Sequence, residues 1–165
     1  MNGIFLLLGS NIGDKQANLK KACRLLTDNG IEILKSSSIY ETAPWGIENQ
    51  DWFLNIGLKV KTDMDPEELL KSCLSVEEEM GRKRIQKWGS RIIDIDILYY
   101  HHQVINEPEL KIPHPGIPDR RFTLVLLDEL APNEKHPILE INQHILLENC
   151  PDKSVCNKTN LNLNL

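Results

Sequence analysis

The residues between positions 82 and 96 combine charges of both signs in a way that suits a polyanion bound together with metal ions. Five basic residues come first and two aspartates follow: Arg82, Lys83, Arg84, Lys87, Arg91, Asp94 and Asp96. The whole chain is acidic, with a formal net charge of -5, so this cationic run departs from its background. Guanidinium groups bind phosphate oxygens in pairs, and carboxylates are ligands that Mg²⁺ takes beside phosphates. The simpler alternative is a solvated charged loop.

Asp94 and Asp96 fall in an apolar run, 92–99, that is typical of a β-strand. Successive side chains of a strand point to opposite faces, so both carboxylates share one face, roughly 6.6 Å apart along the strand. The opposite face is predicted to carry Ile93, Ile95, Ile97 and Tyr99. A solvent-facing acidic strand would show the same pattern, since D-x-D alone is common. The cationic run directly before it favours a magnesium site that also holds phosphates.

Two further groups could bind an organic substrate. Phe53 and Asn55 share the face of a predicted strand that points away from the core, and an aromatic plane beside an amide suits a flat heterocycle. Edge packing and a capped loop are the alternatives for these two residues. His114 stands between two prolines with Arg120 close behind, so phosphate contact and a purely structural histidine both remain open. Trp88, inside the basic run, could cover an aromatic base or anchor its own loop.

Length and composition limit the class of protein. With 165 residues, 41% of them hydrophobic, the chain can form one domain with a substantial core. No apolar run approaches the ~20 residues of a membrane span, so we expect a cytoplasmic protein. The four cysteines are scattered without a C-x-x-C pair, which fits neither a zinc site nor a disulfide framework. The acidic balance argues against general nucleic-acid binding.

Hydrophobic periodicity predicts the elements that must position these residues. Strands are predicted at 3–8, 31–40, 52–60 and 92–99, and helices at 15–28, 66–80, 121–131 and 138–147. Asp14 and Asp65 are the expected N-caps of the first two helices. The order β-α-β-β-α-β is that of an α+β, ferredoxin-like antiparallel sheet with both helices on one face, which leaves the other face open for a site. Residues 1–147, with a C-terminal extension, are expected to form one domain, and 148–165 a disordered tail.

Six segments of the chain occur in an order that resembles the 6-hydroxymethyl-7,8-dihydropterin pyrophosphokinase family. They are LLLGSNIGD, SSIYETAPWG, DWFLN, EEEMGRKR, WGSRIIDIDIL and IPHPGIPDRRF, and the resemblance covers residues 3–132. The resemblance implies a ferredoxin-like fold that uses ATP and two Mg²⁺ ions. It also implies transfer of pyrophosphate to the pterin hydroxymethyl oxygen with release of AMP, a step of folate biosynthesis.

The same resemblance implies roles for residues at matching positions. Asp94 and Asp96 would hold both magnesium ions, and Arg82 and Arg91 would clamp the transferring phosphates. The ATP site would be lined by Glu77, Arg84, Lys87, Trp88, Ile97, His114 and Arg120. The pterin site would be lined by Thr42, Pro44, Trp45, Phe53, Asn55 and Phe122, with the two phenylalanines on opposite faces of the ring. Ala43 departs from the family, which often has proline there.

Two other functions would use some of the same residues. A magnesium-dependent phosphodiesterase or nuclease could employ Asp94, Asp96 and the arginines, but it would need to activate water and would act without a pterin. An RNA-binding module of the same fold expects stacking aromatics and a basic face, whereas this acidic chain has 5% aromatic residues. We therefore expect ATP and the pterin as partners, with no nucleic acid or membrane, and a monomeric protein.

Overall fold

The structure, a computed structural model, describes residues 2–44, 50–82 and 90–164. Its elements are β1 Ile4–Ser10, α1 Lys15–Asp28, β2 Glu32–Ser36, β3 Tyr40–Thr42, β4 Phe53–Lys61, α2 Pro66–Glu79, β5 Asp94–Tyr100, β6 Ile105–Asn106, β7 Lys111–Ile112, α3 Arg121–Leu130, α4 Gln143–Asn149 and β8 Cys156–Lys158. The predicted order of strands and helices from β1 to β5 is confirmed, with one predicted strand divided in two. Within these ranges, no helix combines the length and the apolar character that crossing a bilayer requires.

In the main sheet, β1 lies between β5 and β4. Among the described residues, six strands pair antiparallel in the order β5-β1-β4-β3-β8, and β2 also pairs with β4. Every residue of β1 is buried, because strands flank both of its edges and side chains cover both of its faces. This arrangement confirms the predicted ferredoxin-like antiparallel sheet. A separate hairpin of β6 and β7 lies after β5.

Two capped helices cover one face of the sheet. The carboxylate of Asp14 accepts a hydrogen bond from the N–H of Ala17 at 3.0 Å, and α2 begins with a capping box between Asp65 and Glu68. Pro66 is the first residue of α2. The N–H of that position has no partner within a helix, so proline loses no hydrogen bond there. Apolar stripes of both helices pack on alternate residues of β1, β4 and β5 in one buried cluster. The predicted N-caps are therefore confirmed.

The opposite face of the sheet is partly covered, contrary to the expectation that it is open. Helix α3 packs on that face in a second apolar cluster with the other alternate residues of β1. The approach is close, since a Cβ atom added to Gly57 would lie 3.0 Å from Leu130 Cδ1 and 3.1 Å from Leu126 Cβ. The ends of β4 and β5 beyond α3 line a cleft, and they carry four predicted site residues, Phe53, Asn55, Asp94 and Asp96.

Two predictions for strands are wrong in detail. The strand predicted at 31–40 is interrupted after β2. There the Ser37 hydroxyl accepts a hydrogen bond from the N–H of Gly57 at 2.9 Å, which ends the regular pairing of the strands. The alternation predicted for 92–99 fails near its end, because a bulge sets Phe5 opposite Tyr99 but Leu6 opposite Ile97. Tyr99 therefore packs on the α3 face, with Leu98, instead of sharing a face with Ile97.

The C-terminal segment differs from the predicted disordered tail. Strand β8 pairs antiparallel with β3, and the Thr159 N–H donates to the carbonyl of Ile39 at 2.9 Å. Leu163 is 3% exposed and packs in the cluster beneath α1 and α2. The polar composition of this segment hides these contacts, since the sheet edge supplies backbone partners that need no apolar side chains.

Candidate active site

The candidate site is built around one row of residues that crosses three strands. Gly9 on β1 lies between Asn55 on β4 and Asp94 on β5 in the sheet register. A Cβ atom on Gly9 would lie only 2.6 Å from the Asn55 side-chain oxygen, so the row needs glycine at its centre. The sequence alone does not single out Gly9, because its closeness to Asn55 depends on strand register.

A cleft opens over this row and gathers residues from both predicted sites. The predicted residues that line it are Thr42, Phe53, Asn55, Arg91, Asp94, Asp96, Arg120 and Phe122. Asp94 and Asp96 share the cleft face of β5, which confirms the alternation predicted for this part of the strand. Phe53 and Asn55 reach the cleft from β4, and Asp94 and Asp96 reach it from β5 on the other side of Gly9. We call these two sides the amide end and the charged end.

Asp94 is held by two arginines. The guanidinium of Arg82 lies 2.5 Å from one carboxylate oxygen of Asp94, and that of Arg91 pairs with the other oxygen. The Arg82 guanidinium also pairs with the Glu77 carboxylate. These side chains are at most 20% exposed, so the charges interact more strongly than they would on an open surface.

The two aspartates suit a divalent cation. Burial, and next the charge of Asp94, raise the pKa of Asp96 to about 7, against the opposing effects of Arg120 and Arg91. Two carboxylates on one face are hard oxygen donors, and Mg²⁺ commonly takes one or two carboxylates together with substrate phosphates and water. In the described ranges, no cluster of three or more His, Cys, Asp or Glu residues could hold a metal by itself. The donor set therefore fits Mg²⁺ that arrives with a phosphorylated substrate.

Glu77 and Ile97 lie outside the cleft. The Glu77 carboxylate is buried and accepts a hydrogen bond from the N–H of Ile95 at 2.7 Å, which ties the end of α2 to β5. Ile97 packs in the core beneath α1 and α2. Glu77 is therefore linked to Asp94 through Arg82, and contact of Glu77 and Ile97 with ATP stays a prediction.

His114 and Arg120 approach the charged end of the cleft from the segment before α3. Burial, and next the charge of Arg120, lower the pKa of His114 to about 4, so its ring is neutral near pH 7. Its Nδ1 accepts the N–H of Gly116 at 3.0 Å, which leaves the proton on Nε2. A Cβ atom on Gly116 would lie 2.7 Å from Arg120 Nε, so this glycine, missed from the sequence, lets the guanidinium lie against the backbone.

The other end of the cleft presents a fixed amide together with two aromatic side chains. Asn55 is 4% exposed, and its amide donates to the Thr42 hydroxyl at 2.7 Å, which fixes the orientation of the amide. Phe53 and Phe122 line the same cleft from β4 and α3. Directly after Thr42, Ala43 also lines the cleft, whereas Pro44 does not.

Four of the predicted site residues lie outside the described residues. They are Trp45, Arg84, Lys87 and Trp88. Their predicted contacts, with the pterin for the first and with ATP for the other three, stay predictions.

The sequence and the fold are both similar to known proteins. A sequence model of the family described as 7,8-dihydro-6-hydroxymethylpterin-pyrophosphokinase (HPPK) matches residues 5–132. The 2-amino-4-hydroxy-6-hydroxymethyldihydropteridine pyrophosphokinase of Aquifex aeolicus is 48% identical over 138 residues, or 84% of this chain and 86% of that protein. The protein of the same name from Methylorubrum extorquens is 44% identical over 134 residues, or 81% of this chain and 85% of that protein.

Solved structures share the fold. A crystal structure of Plasmodium falciparum HPPK-DHPS matches 89% of this chain with a TM-score of 0.74 and 19% sequence identity. The matched part is 45% of that longer chain. At this identity, the likeness shows the fold alone.

Proposed function

Because the chain belongs to the 7,8-dihydro-6-hydroxymethylpterin-pyrophosphokinase family, we propose that it transfers pyrophosphate from ATP to the hydroxymethyl group of 6-hydroxymethyl-7,8-dihydropterin. It releases AMP and serves folate biosynthesis. The observation that carries the proposal is the row of Asn55, Gly9 and Asp94, which joins an aromatic amide pocket to a charged pocket in one cleft. A flat heterocycle and a triphosphate are the two ligands that such a cleft would bring together.

The amide end of the cleft binds the pterin. Asn55 reads the polar edge of the ring, because a buried amide offers both donors and an acceptor in one plane. Thr42 fixes the orientation of that amide through the 2.7 Å hydrogen bond. Phe53 and Phe122 cover the two faces of the ring, as aromatic side chains do for flat ligands. Contacts of Pro44 and Trp45 with the pterin are proposed on the family resemblance alone, since Pro44 does not line the cleft and Trp45 lies outside the described residues.

The charged end binds the phosphates together with two Mg²⁺ ions held by Asp94 and Asp96. Bound Mg²⁺ supplies charge neutralisation and orients the phosphate oxygens. Arg82 and Arg91 contact the Asp94 carboxylate, so their guanidinium groups would also be within reach of phosphates bound beside it. These arginines neutralise charge that develops during transfer. The remaining ATP contacts are proposed for Glu77, Arg84, Lys87, Trp88, Ile97, His114 and Arg120.

The transfer itself needs positioning more than covalent help from the protein. The hydroxymethyl oxygen attacks the β-phosphorus in line and forms a new P–O bond, while the bond from the β-phosphorus to the oxygen of the α-phosphate breaks and AMP leaves with that oxygen. The proton of the hydroxymethyl group passes to water. Neutral His114 donates its Nε2–H to a phosphate oxygen, since Nδ1 already accepts from Gly116. Fixed donors and cations of this kind stabilise the transition state without having to reorganise.

We propose that one chain is sufficient and that it works in the cytoplasm. Residues of a single chain line both ends of the cleft, which supports a monomer. All four cysteines are free thiols, as is usual in a reducing compartment.

Incubation of the protein with ATP, Mg²⁺ and 6-hydroxymethyl-7,8-dihydropterin tests the function. We expect AMP and the pterin diphosphate to form together in equal amounts, and no AMP to form without the pterin. AMP or ADP that formed equally fast without the pterin would contradict the proposal and favour the phosphodiesterase alternative. A phosphorus NMR spectrum of the products distinguishes pyrophosphate transfer from transfer of a single phosphoryl group.

A further inference from the structure

The start of helix α3 is capped by a residue from a distant part of the chain. The N-cap residue of α3, Arg120, provides no side-chain cap for the first N–H groups of the helix. Instead, the carboxylate of Asp152, 31 positions after Arg121, accepts the N–H of Arg121 at 2.9 Å. The next residue of the helix, Phe122, lines the cleft. Asp152 therefore satisfies a backbone donor directly beside one aromatic wall of the amide end.

The Asp152 carboxylate is itself held in place. Its other oxygen accepts the N–H of Ser154 at 2.8 Å and also the Ser154 hydroxyl. Burial raises the pKa of Asp152, but the hydrogen bonds from Ser154 and Arg121 outweigh burial and lower this pKa below its ordinary value. The side chain is thus charged near pH 7, and a negative charge favours the N-terminus of a helix.

The same segment continues into β8, which pairs with β3 on the side away from β4. The Val155 carbonyl accepts the N–H of Ala43 at 3.4 Å, and Cys156 lies opposite Thr42 in the register. Thr42 in turn fixes the amide of Asn55 through their 2.7 Å hydrogen bond. Residues 152–156 thus join the start of α3 to the end of β3.

This connection sets the relation between two parts of the amide end. Phe122 reaches the cleft from α3, whereas the orientation of Asn55 depends on Thr42 in β3. Neither Asp152 nor any residue of β8 is among the described residues that line the cleft. An effect of Asp152 on a ligand would therefore pass through Phe122 and Thr42.

We propose that Asp152 is a positioning residue that holds the start of α3 in place relative to β3, so that the amide end is formed before the pterin binds. This inference rests on the proposed function, since it requires that the pterin bind at the amide end. Without the contact, only a fraction of the molecules would have the binding arrangement, and the apparent Kd rises in inverse proportion to that fraction. The family model matches residues 5–132 and so assigns no role to Asp152.

Two dissociation constants test the proposal. Calorimetry gives the Kd of 6-hydroxymethyl-7,8-dihydropterin at saturating Mg²⁺ and α,β-methylene-ATP, which cannot donate pyrophosphate, and separately the Kd of this nucleotide analogue alone. For Asp152→Ala we expect the pterin Kd to rise by about 5-fold or more, as when about one fifth of the molecules have the binding arrangement. The Kd of the analogue should change by less than about 2-fold, or ~0.4 kcal/mol. The reason is that the Arg120 guanidinium lies against the backbone at Gly116, in the turn before α3.

Two further variants separate positioning from stability. Asp152→Asn keeps an oxygen that can accept from Arg121, so it should restore a pterin Kd close to the native value. Asp65→Ala is the matched control, because the Asp65 carboxylate caps α2 by accepting the N–H of Glu68 at 2.8 Å. Both alanine variants should have lower melting temperatures, since each loses a helix cap. We expect Asp65→Ala to keep the native pterin Kd.

The outcomes separate the inference from the function on which it rests. A native pterin Kd for Asp152→Ala, even with a lower melting temperature, would overturn the positioning role and leave the proposed function standing. Equal increases in the two dissociation constants, or an equal increase in pterin Kd for Asp65→Ala, would also overturn it, because the whole protein would then have loosened. Asp152→Asn with a pterin Kd as high as that of Asp152→Ala would overturn the role of the hydrogen-bond acceptor. A native protein that bound neither ligand would overturn the inference and the proposed function together.

Discussion

The guanidinium of Arg82 lies 2.5 Å from the Asp94 carboxylate and at the same time pairs with the buried carboxylate of Glu77. Glu77 also accepts the N–H of Ile95 at 2.7 Å, so the end of α2 and the start of β5 share one network of charges. An arginine between two carboxylates fixes the position of Asp94 before any ligand arrives. The core of the protein therefore contributes directly to the geometry of the candidate metal site.

Replacing Glu77 by glutamine should weaken this network. The amide oxygen can still accept from Ile95, but the charge that pairs with Arg82 is lost. We expect a loss of about 1–3 kcal/mol in the free energy of unfolding, measured by urea denaturation, as is usual when a buried hydrogen bond to a charged group is removed. Glu78→Gln is the control, since Glu78 is the exposed neighbour on the same helix. Equal stabilities for the two variants would contradict the network.

Asp96→Asn should lower activity and raise stability. Asp96 is partly buried beside Asp94, so its charge opposes folding when no cation is present. We expect kcat to fall by about 100-fold or more, as when one group that stabilises transition-state charge is removed. Thermal unfolding in the presence of EDTA should give a higher Tm for this variant than for the native protein. Asp63→Asn, at an exposed position, should change neither quantity. An active Asp96→Asn variant would remove the metal role of this residue.

Gly9→Ala and Gly116→Ala should affect different substrates. The new methyl group at position 9 would press on the Asn55 amide, whereas the one at position 116 would press on the Arg120 guanidinium. Overpacking of this kind costs about 1–3 kcal/mol, or roughly 5-fold or more in binding. We expect steady-state kinetics to show a raised KM for the pterin in the first variant and a raised KM for ATP in the second. The same KM change in both variants would contradict the division of the cleft.

His114 should make stability depend on pH below neutrality. Its pKa is lowered from an ordinary 6.5 to about 4 in the folded state, so the unfolded state binds the additional proton between these values. This contribution to stability is complete above about pH 6.5 and is lost as the pH falls toward 4. His114→Asn keeps an acceptor for Gly116 and cannot titrate. Its free energy of unfolding, from urea denaturation, should therefore fall less between pH 7 and pH 5 than that of the native protein, by about 1–2 kcal/mol. His101→Asn, at an exposed position whose positive φ suits asparagine, should keep the native pH dependence. Equal pH dependences in all three proteins would contradict the burial of His114.

Local pattern predicts the part of the site that depends on one strand. The shared face of Asp94 and Asp96 follows from period-two alternation, and the caps at Asp14 and Asp65 follow from residues close in sequence. The contact between Gly9 and Asn55 does not, because it is set by the register of β1 against β4. Register and bulges arise from pairing between distant segments, which a single sequence does not reveal.

The same limit explains why the sequence alone predicts a disordered tail at 148–165. Its residues are mostly polar, and the partner that orders them is the edge of β3, more than 100 residues earlier in the chain. Backbone pairing at a sheet edge places little demand on side chains. One apolar residue, Leu163, then reaches the core at 3% exposure.

Leu163→Ala tests whether this segment belongs to the folded domain. Removing a buried leucine side chain leaves a cavity and usually costs about 2–4 kcal/mol. We therefore expect a matching loss in the free energy of unfolding by urea denaturation. Leu161→Ala is the control, because Leu161 is 40% exposed in the same segment and its truncation should cost little. Equal stability of the two variants would mean that the segment is detached in solution, as its composition alone predicts. A loss confined to Leu163→Ala would instead place β8 and its neighbours among the elements that hold β3, and with it Thr42, at the pterin end of the cleft.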